Sequence, residues 1–302
     1  MISFENVDKF ILANMCVHIP KGVTVGLIGA TGSGKTTFIK LICGLLAPDK
    51  GNVYVMDHEP VSMLGKREAE LGVLFAQLPS LQTEETVVNN FHSLKLIYRL
   101  KESFFEKSYK TLSERLGFGG FQYEKIGNLS MGQRRRAELG AALIHNPRLL
   151  LLDEPTIGLD MNGKEAIRAL IKEREAKGLT NIVTSHDMSD ISDVCSRICI
   201  LDKGRICYYG RSDILFRKYA PVDVMQLTLQ GGIPDIEDLP VKSYHIDGDK
   251  LKLIYNSNQI TSAEILKVIL SKASIKEVSI KKPNLADVIM KIERGIADEQ
   301  FY

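Results

Sequence analysis

The sequence predicts an α/β fold in which helices cover a mainly parallel sheet, followed by a small α+β domain. Two short apolar stretches, residues 23–28 and 149–152, have the β-branched and leucine-rich composition of strands buried on both faces. Elsewhere apolar residues recur at helical spacing, as at Ile167, Leu170 and Ile171. Strands and helices that alternate along a chain in this way are typical of a parallel sheet.

Glycine and proline mark the ends of the predicted elements in the first part of the chain. Pro20 and Gly22 form a turn before one strand, and Gly178 is the expected stop of a helix. The pattern Ser103-x-x-Glu106 predicts a capping box, in which two side chains satisfy free backbone donors at a helix start. The predicted strands are residues 2–4, 16–19, 23–28, 72–75, 149–152, 180–184 and 197–201, and the helical stretches are residues 35–46, 84–127 and 166–177.

The chain changes character near Tyr219-Ala-Pro221. Short segments with alternating polar and apolar residues follow, which favour strands of an antiparallel sheet. The sequence therefore predicts two domains, residues 1–218 and a small accessory or regulatory domain at residues 219–302. The predicted elements of the second domain are strands 225–229, 241–246, 250–255 and 275–280, a helix at 263–270 and a last helix from Asn284.

The overall composition argues against several functional classes. Lysine plus arginine number 39 and aspartate plus glutamate 37, so there is no strong field that would attract nucleic acid or an anionic membrane. No apolar run approaches the roughly 18 residues needed to span a bilayer. The first residues, Met1-Ile-Ser-Phe-Glu5, lack the basic start and apolar stretch of a signal peptide. The expected address is the cytosol.

The first chemical motif is a glycine-rich stretch that matches G-x-x-x-x-G-K-[ST]. Its glycines let backbone N–H groups point at phosphate oxygens, and the following helix presents its positive end to the same phosphates. Lys35 supplies a charge for the β- and γ-phosphates, and the Thr36 hydroxyl is a Mg²⁺ ligand. The motif predicts a P-loop NTPase that binds ATP through Gly29, Ala30, Thr31, Gly32, Ser33, Gly34, Lys35, Thr36 and Thr37.

Two carboxylates follow the leucine-rich strand at residues 149–152. Asp153 stands at the strand end, where a Mg²⁺ ligand for the P-loop site belongs. Glu154 is next to it and is the candidate general base that orients or deprotonates an attacking water. The pair predicts that the chain hydrolyses the nucleotide as well as binding it.

A third motif selects one family among the many P-loop NTPases. Leu129-Ser-Met-Gly-Gln133 resembles the L-S-G-G-Q signature of the ABC ATPases, and it precedes the acidic strand end as it does in that family. The order of the motifs along residues 1–218 also matches. This resemblance implies that residues 78–130 form the helical subdomain typical of an ABC ATPase.

The resemblance also implies individual roles. Gln77 is similar to the residue that touches Mg²⁺ or water and reports the nucleotide state, and His186 to the switch histidine that contacts the γ-phosphate. Asp160 is similar to the residue that communicates across a dimer. Phe10 is the candidate aromatic that stacks on adenine. The signature residues Ser130, Gly132 and Gln133 are expected to bind ATP held on the opposite subunit, because a hydroxyl and free donors at a helix N-terminus attract phosphate.

Two features next to the signature complete the prediction. Met131 stands where the family usually has a glycine, and its side chain is expected to restrict the backbone at the phosphate contact. The three arginines that follow, Arg134 to Arg136, are predicted to form a solvated helix face.

The motifs and the resemblance together predict an ATPase subunit that works as a dimer, bound to the inner face of the cell membrane through a separate polytopic permease. The stretch from Leu129 to Asp160 is similar to exporter subunits, and so is the tail at residues 281–290, which favours export. Two alternatives stay open. One is an ABC-type ATPase that acts on translation or nucleic acid, although the single P-loop and the near-neutral charge argue against it. The other is a nucleotide-gated regulator with little turnover.

Overall fold

A computed structural model describes residues 1–63, 70–76, 80–185, 188–219, 222–236, 239–281 and 288–289. The chain forms two compact units, Met1–Gly210 (unit 1) and Arg211–Tyr302 (unit 2). The contacts divide at Gly210, whereas the sequence analysis places the domain boundary after residue 218. No described helix has both the length and the apolar composition needed to cross a bilayer.

Unit 1 alternates strands and helices. Its elements in chain order are β1 (Ile2–Lys9), β2 (Leu12–Ile19), β3 (Thr24–Ile28), α1 (Lys35–Ile42), β4 (Lys50–Val55), β5 (Leu71–Leu74), α2 (Val87–Ile97), α3 (Glu102–Leu116), α4 (Met131–Leu143), β6 (Leu149–Asp153), α5 (Met161–Ala176), β7 (Thr180–Thr184), α6 (Met188–Val194), β8 (Arg197–Asp202) and β9 (Arg205–Arg211).

The central sheet of unit 1 has six strands in the order β5-β6-β7-β3-β8-β9. The ladders that join β5, β6, β7, β3 and β8 are all parallel. Every residue of β3, β6 and β7 is buried, as expected for strands covered on both faces. Because these strands are parallel, the loops after β3, β6 and β7 leave the sheet at one edge.

A three-stranded antiparallel sheet, in the order β2-β1-β4, lies beside α1. The rings of Phe4 and Phe38 stack with centroids 4.5 Å apart, which joins β1 to α1 in an apolar core of unit 1. Strand β4 is not among the predicted strands, since its residues Lys50, Gly51 and Asn52 are polar or small and exposed. Their pairing with β1, rather than their composition, makes them a strand.

The predicted helical region contains α2 and α3, and its core is aromatic. The ring centroid of Phe91 is 5.0 Å from that of Tyr109 and 5.1 Å from that of Phe118. The predicted capping box at Ser103 is wrong: α3 begins earlier, after Lys101, and has no side-chain cap. Lys101 is the N-cap residue, so Ser103 lies inside the first turn of the helix and cannot cap it, and Glu102 in that turn forms an ion pair with Lys95.

Unit 2 contains α7 (Ser212–Tyr219), β10 (Val222–Gln230), β11 (Val241–Asp247), β12 (Lys250–Asn256), α8 (Ser262–Lys272) and β13 (Ser274–Lys281). Its four strands form an antiparallel sheet in the order β11-β12-β10-β13. Helix α8 begins with a capping box made by Thr261 and Glu264. Most of the predicted last helix lies outside the described residues, of which Val288 and Ile289 are helical.

Candidate functional site

The glycine-rich loop connects β3 to α1 and requires glycine at two points. A Cβ on Gly29 would lie 2.2 Å from the carbonyl oxygen of Leu201, so no side chain fits there. Gly34 is the N-cap of α1 with φ of 109°, a left-handed conformation that side chains rarely adopt. Lys35 is the first residue of the helix, so the loop ends at the positive pole of α1.

The loop borders a cavity of about 560 Å³ at the carboxyl edge of the central sheet. The cavity brings together residues that are far apart in sequence. The predicted site residues that line it are Thr31, Gly32, Gly34, Lys35, Thr36, Thr37, Asp153 and Glu154. Three other predicted loop residues do not line the cavity. The carbonyls of Gly29 and Ala30 accept hydrogen bonds from Lys35, and Ser33 is buried.

Lys35 is a cation that lines this cavity next to the loop. Its Nζ donates to the carbonyl oxygens of Gly29, at 2.6 Å, and Ala30, at 3.0 Å. Burial lowers the pKa of Lys35, while the nearby charges of Glu154 and Asp153 raise it. A cation facing two carboxylates across a cavity attracts a phosphate group together with a divalent cation.

Asp153 and Glu154 are held by the end of the neighbouring strand β7. The Thr184 hydroxyl donates to Asp153 Oδ1 at 2.6 Å and accepts from the backbone N–H of Glu154 at 3.0 Å. Glu154 has φ of 51°, which is unusual for a residue with a side chain. This backbone bend turns the chain away from the sheet directly after the two carboxylates.

Thr36 and Asp153 supply the oxygen ligands that Mg²⁺ prefers. No group of three or more histidine, cysteine or acidic side chains forms a metal cluster in the described part of the chain. A Mg²⁺ ion that binds with a nucleotide needs only one or two protein ligands, because phosphates and waters provide the rest. The residues at the cavity therefore fit such an ion.

Besides the three loop residues above and the signature residues and Asp160 below, three predicted site residues are not among the described residues that line the cavity. Gln77 and His186 lie outside the described residues, although Ala76 and Ser185 beside them are described. Phe10 lies in the turn between β1 and β2, and 75% of its surface is exposed. Its neighbour Ile11 lines the cavity instead.

The signature residues cap the N-terminus of α4. Ser130 Oγ accepts from the backbone N–H of Gln133, and Gln133 Oε1 accepts from the N–H of Ser130. Asp160 caps α5 in the same way, accepting from the N–H of Gly163 at 2.8 Å, and it also pairs with Arg136. These bonds lower the pKa of Asp160, the backbone bond to Gly163 most of all.

Ser130, Gly132, Gln133 and Asp160 are not among the described residues that line the cavity of their own chain. Met131 does line it, with 66% of its surface exposed. Met131 is a helical residue without positive φ, so this position requires no glycine for its backbone. Its side chain lies over Gly158, where a Cβ would be 2.7 Å from the Met131 sulfur.

The prediction that Arg134, Arg135 and Arg136 form a solvated face is wrong for Arg135, which is only 6% exposed. Its guanidinium donates to the backbone carbonyls of Asp153, at 2.5 Å, and Glu154, at 2.7 Å. Burial lowers its pKa, which the charge of Glu138 beside it raises. The three arginines are consecutive, so the sequence alone does not show which of them is buried. The one indication is Glu138, an acid three residues after Arg135 among the buried residues of α4.

The fold and the cavity define a P-loop NTPase, and comparisons with known proteins identify its family. The family model described as ABC transporter matches residues 12–157. The linearmycin resistance ATP-binding protein LnrL of Bacillus subtilis is 31% identical over 239 residues, which are 76% of each chain. This chain therefore belongs to the ABC transporter family. It is an ATP-binding subunit of an ABC transporter and an ATPase, as the sequence predicts.

Relatives of both transport directions are similar to this chain. The Nod factor export ATP-binding protein I of Bradyrhizobium diazoefficiens is 27% identical and covers 94% of this chain and 92% of its own. The methionine import ATP-binding protein MetN of Clostridioides difficile is 33% identical and covers 72% of this chain and 70% of its own.

Solved structures of ABC ATPases have the same fold. A dimeric ATP-binding cassette in a post-hydrolysis state, bound to ADP and Pi, has a TM-score of 0.64 and is 27% identical. It covers 70% of this chain and 98% of its own length. The predicted α/β fold class is thus confirmed, and subunits of this family dimerise and partner with membrane permeases.

Proposed function

We propose that this chain drives export, through a separate polytopic permease at the inner face of the cell membrane. The observation that carries the proposal is the extent of similarity. The Nod factor export relatives align over 94% of this chain, and so run into unit 2, whereas the methionine import relative aligns over 72%. An accessory unit shared with export subunits favours the same direction of transport here.

The proposed catalytic unit is a dimer that holds two ATP molecules, each between the P-loop of one copy and the signature of the other. Support comes from the two capping residues, Ser130 and Asp160, which do not line the described cavity of their own chain yet sit at exposed helix N-termini. A second copy that presents Ser130 to the γ-phosphate closes the site. Phe10, whose ring is exposed, is the proposed adenine contact.

Within this site each side chain has a separate task. Lys35 binds the β- and γ-phosphates and offsets their charge. Glu154 accepts a proton from the attacking water, and His186 and Gln77 complete the shell around that water. Mg²⁺, held by Thr36, Gln77 and Asp153, would neutralise charge on the phosphates when bound. Hydrolysis then separates the γ-phosphate from Ser130 of the other copy, which opens the dimer and resets the permease.

The first experiment is an affinity purification from gently solubilised membranes, with mass spectrometry of the proteins that come with the chain. We expect a polytopic membrane protein in stoichiometric amount. Ribosomal proteins or DNA-bound proteins in place of a permease would overturn the transport assignment and favour the alternative of an ATPase acting on translation or nucleic acid.

The direction of transport is tested on the purified complex in proteoliposomes whose ATPase subunits face outward. An exporter receives its substrate on the side of its ATPase, so candidate compounds added outside should stimulate hydrolysis. The same compounds enclosed in the lumen should not. Stimulation from the lumen alone would contradict export and indicate import.

A further inference from the structure

The most unusual contact near the cavity is made by a side chain that does not line it. Arg135 lies in α4, five residues after Ser130, and is 6% exposed. A buried guanidinium needs partners for its donors, since an unpaired buried charge is strongly destabilising. Three of its partners are backbone carbonyls of the segments that lead into the nucleotide site, namely those of Phe75, Asp153 and Glu154.

These carbonyls follow two neighbouring strands of the central sheet. Asp153 ends β6, and Phe75 directly follows β5, which pairs with β6 in parallel. Nη2 of Arg135 donates to Asp153 and Glu154, and Nη1 donates to Phe75 at 2.9 Å. The planar guanidinium thus fixes the distance between two strand ends. Lysine cannot do the same, because its ammonium is a single point rather than a fork.

The contact bears on the conformation of Glu154. A residue with a side chain and a φ of 51° is in a rarely adopted conformation, which persists only where its surroundings hold it. Glu154 is held on both sides. Thr184 accepts from its backbone N–H at 3.0 Å, and Arg135 donates to its carbonyl oxygen at 2.7 Å. The side chain of Glu154 leaves this fixed backbone toward the cavity.

We propose that Arg135 is a positioning residue: it fixes the backbone of Glu154, and thereby the place of its carboxylate, from the helix that carries the signature. This rests on the proposed role of Glu154 as the base. Helix α4 is continuous from Ser130 to Arg135, so a shift of its N-terminus moves the guanidinium and the carbonyls it binds. The signature of one copy and the base in the same copy are then mechanically linked.

The test uses the full-length chain with Arg135→Gln and Arg135→Lys. A displaced base slows the chemical step but leaves the phosphate contacts in place. We therefore expect kcat to fall about 100-fold in Arg135→Gln, with the Kd for ATP changed less than about threefold. Arg135→Lys keeps the charge and should recover part of the rate. Arg135→Lys is the variant better able to fold. A lowered kcat together with a nearly unchanged Kd for ATP in this variant therefore supports the proposal by itself.

Arg174 provides a matched control. It is also 6% exposed and donates to a carbonyl, that of Pro147, at 2.9 Å, but near the amino ends of β6 and β7. Arg174→Gln should lower the melting temperature as Arg135→Gln does and leave kcat per folded molecule unchanged. An equal loss of kcat in both variants would mean that buried arginines here act on stability alone, and would overturn the proposal.

The double variant Glu154→Gln/Arg135→Gln separates this inference from the proposed function. If Arg135 acts through Glu154, the double variant hydrolyses ATP no more slowly than Glu154→Gln alone. Additive losses, or an unchanged kcat in Arg135→Gln beside an inactive Glu154→Gln, would overturn the positioning role only. Full hydrolysis in Glu154→Gln would instead refute the role of Glu154 as base.

Discussion

The two units of this chain distribute their polar side chains in different ways. In unit 1 the strands β3, β6 and β7 are buried throughout, and the proposed reactive side chains Lys35, Asp153 and Glu154 lie after β3, at the end of β6 and directly after β6. In unit 2 the two central strands, β10 and β12, alternate between buried apolar residues and mainly polar ones. The buried apolar residues of β10 and β12 include Met225, Leu227, Leu251 and Leu253, and their neighbours Gln226, Thr228, Lys250 and Lys252 are polar.

This difference follows from how each sheet is covered. Helices on both faces of a parallel sheet leave only its edge open to ligands, so the chemistry concentrates where the strands end. An antiparallel sheet with a helix on one face leaves the other face to solvent and needs polar residues there. From this comparison we expect ATP hydrolysis to take place in unit 1, and changes that affect one unit at a time test this expectation.

The largest effect is expected for Glu154→Gln. Removing the proposed base should lower hydrolysis about 10²- to 10⁴-fold, as is usual for loss of general base catalysis. ATP binding should persist, and the dimer should accumulate in its closed form. Phosphate release and gel filtration with ATP measure the two properties. A hydrolysis rate equal to that of the unchanged chain would count heavily against Glu154 as base.

A matched pair of core substitutions separates the units directly. Leu151 in β6 and Leu253 in β12 are both fully buried. Replacing either by alanine should lower the free energy of unfolding of its own unit by about 2–5 kcal/mol. Hydrogen exchange measured for each unit should reveal which one is destabilised.

The ATPase assay then completes the comparison. At a temperature where unit 1 of the Leu253→Ala variant still resists exchange, hydrolysis should be normal. Loss of hydrolysis under that condition would mean that unit 2 takes part in the reaction. It would contradict the expectation that unit 1 hydrolyses ATP without unit 2.

A smaller effect is expected for Lys35→Ala. Lys35 lines the cavity proposed to hold the phosphates, and a charge-assisted hydrogen bond from its Nζ is worth about 1.5–3 kcal/mol. The variant should therefore bind ATP about 10- to 100-fold more weakly, as measured by titration with a fluorescent nucleotide. Lys40 also lines the cavity, one helical turn further along α1, and Lys40→Ala serves as the comparison. Full affinity in Lys35→Ala would undermine the P-loop site.

The smallest effect concerns pH. Burial lowers the pKa of His145 in unit 1 to about 4, against an ordinary value of 6.5, and its Nε2 donates to the carbonyl of Leu71 at 3.0 Å. The folded chain therefore favours neutral His145, so its contribution is complete above pH 6.5 and is lost as the pH falls toward 4. Between pH 6.5 and 5 the loss should be about 2 kcal/mol.

His145→Gln keeps a donor for Leu71 and removes the titration. Denaturant unfolding at a series of pH values should give a flatter profile for this variant than for the unchanged chain. Equal slopes for the two proteins would show that His145 does not set the acid sensitivity of unit 1.

The sequence by itself determined the features that depend on neighbouring residues. The P-loop, the buried strand that ends at Asp153 and the family signature are all local patterns, and the comparisons confirm the fold and family that they predict. The alternation of polar and apolar residues in β10 and β12 likewise follows from local period alone. Each of these patterns lies within one short segment, so it can be recognised without knowing which distant residues the segment contacts.

Only the tertiary structure decided which residues meet. Strand β4 exists because β1 pairs with it, and α3 begins after Lys101, which places Ser103 inside the helix. Arg135 looks like its two neighbours in the sequence, yet it alone of the three is buried against the segment that carries Glu154. A helix exposes or buries a residue according to what packs beside it, and that partner comes from a distant part of the chain. For this reason the composition of the segment could not distinguish Arg135 from Arg134 and Arg136.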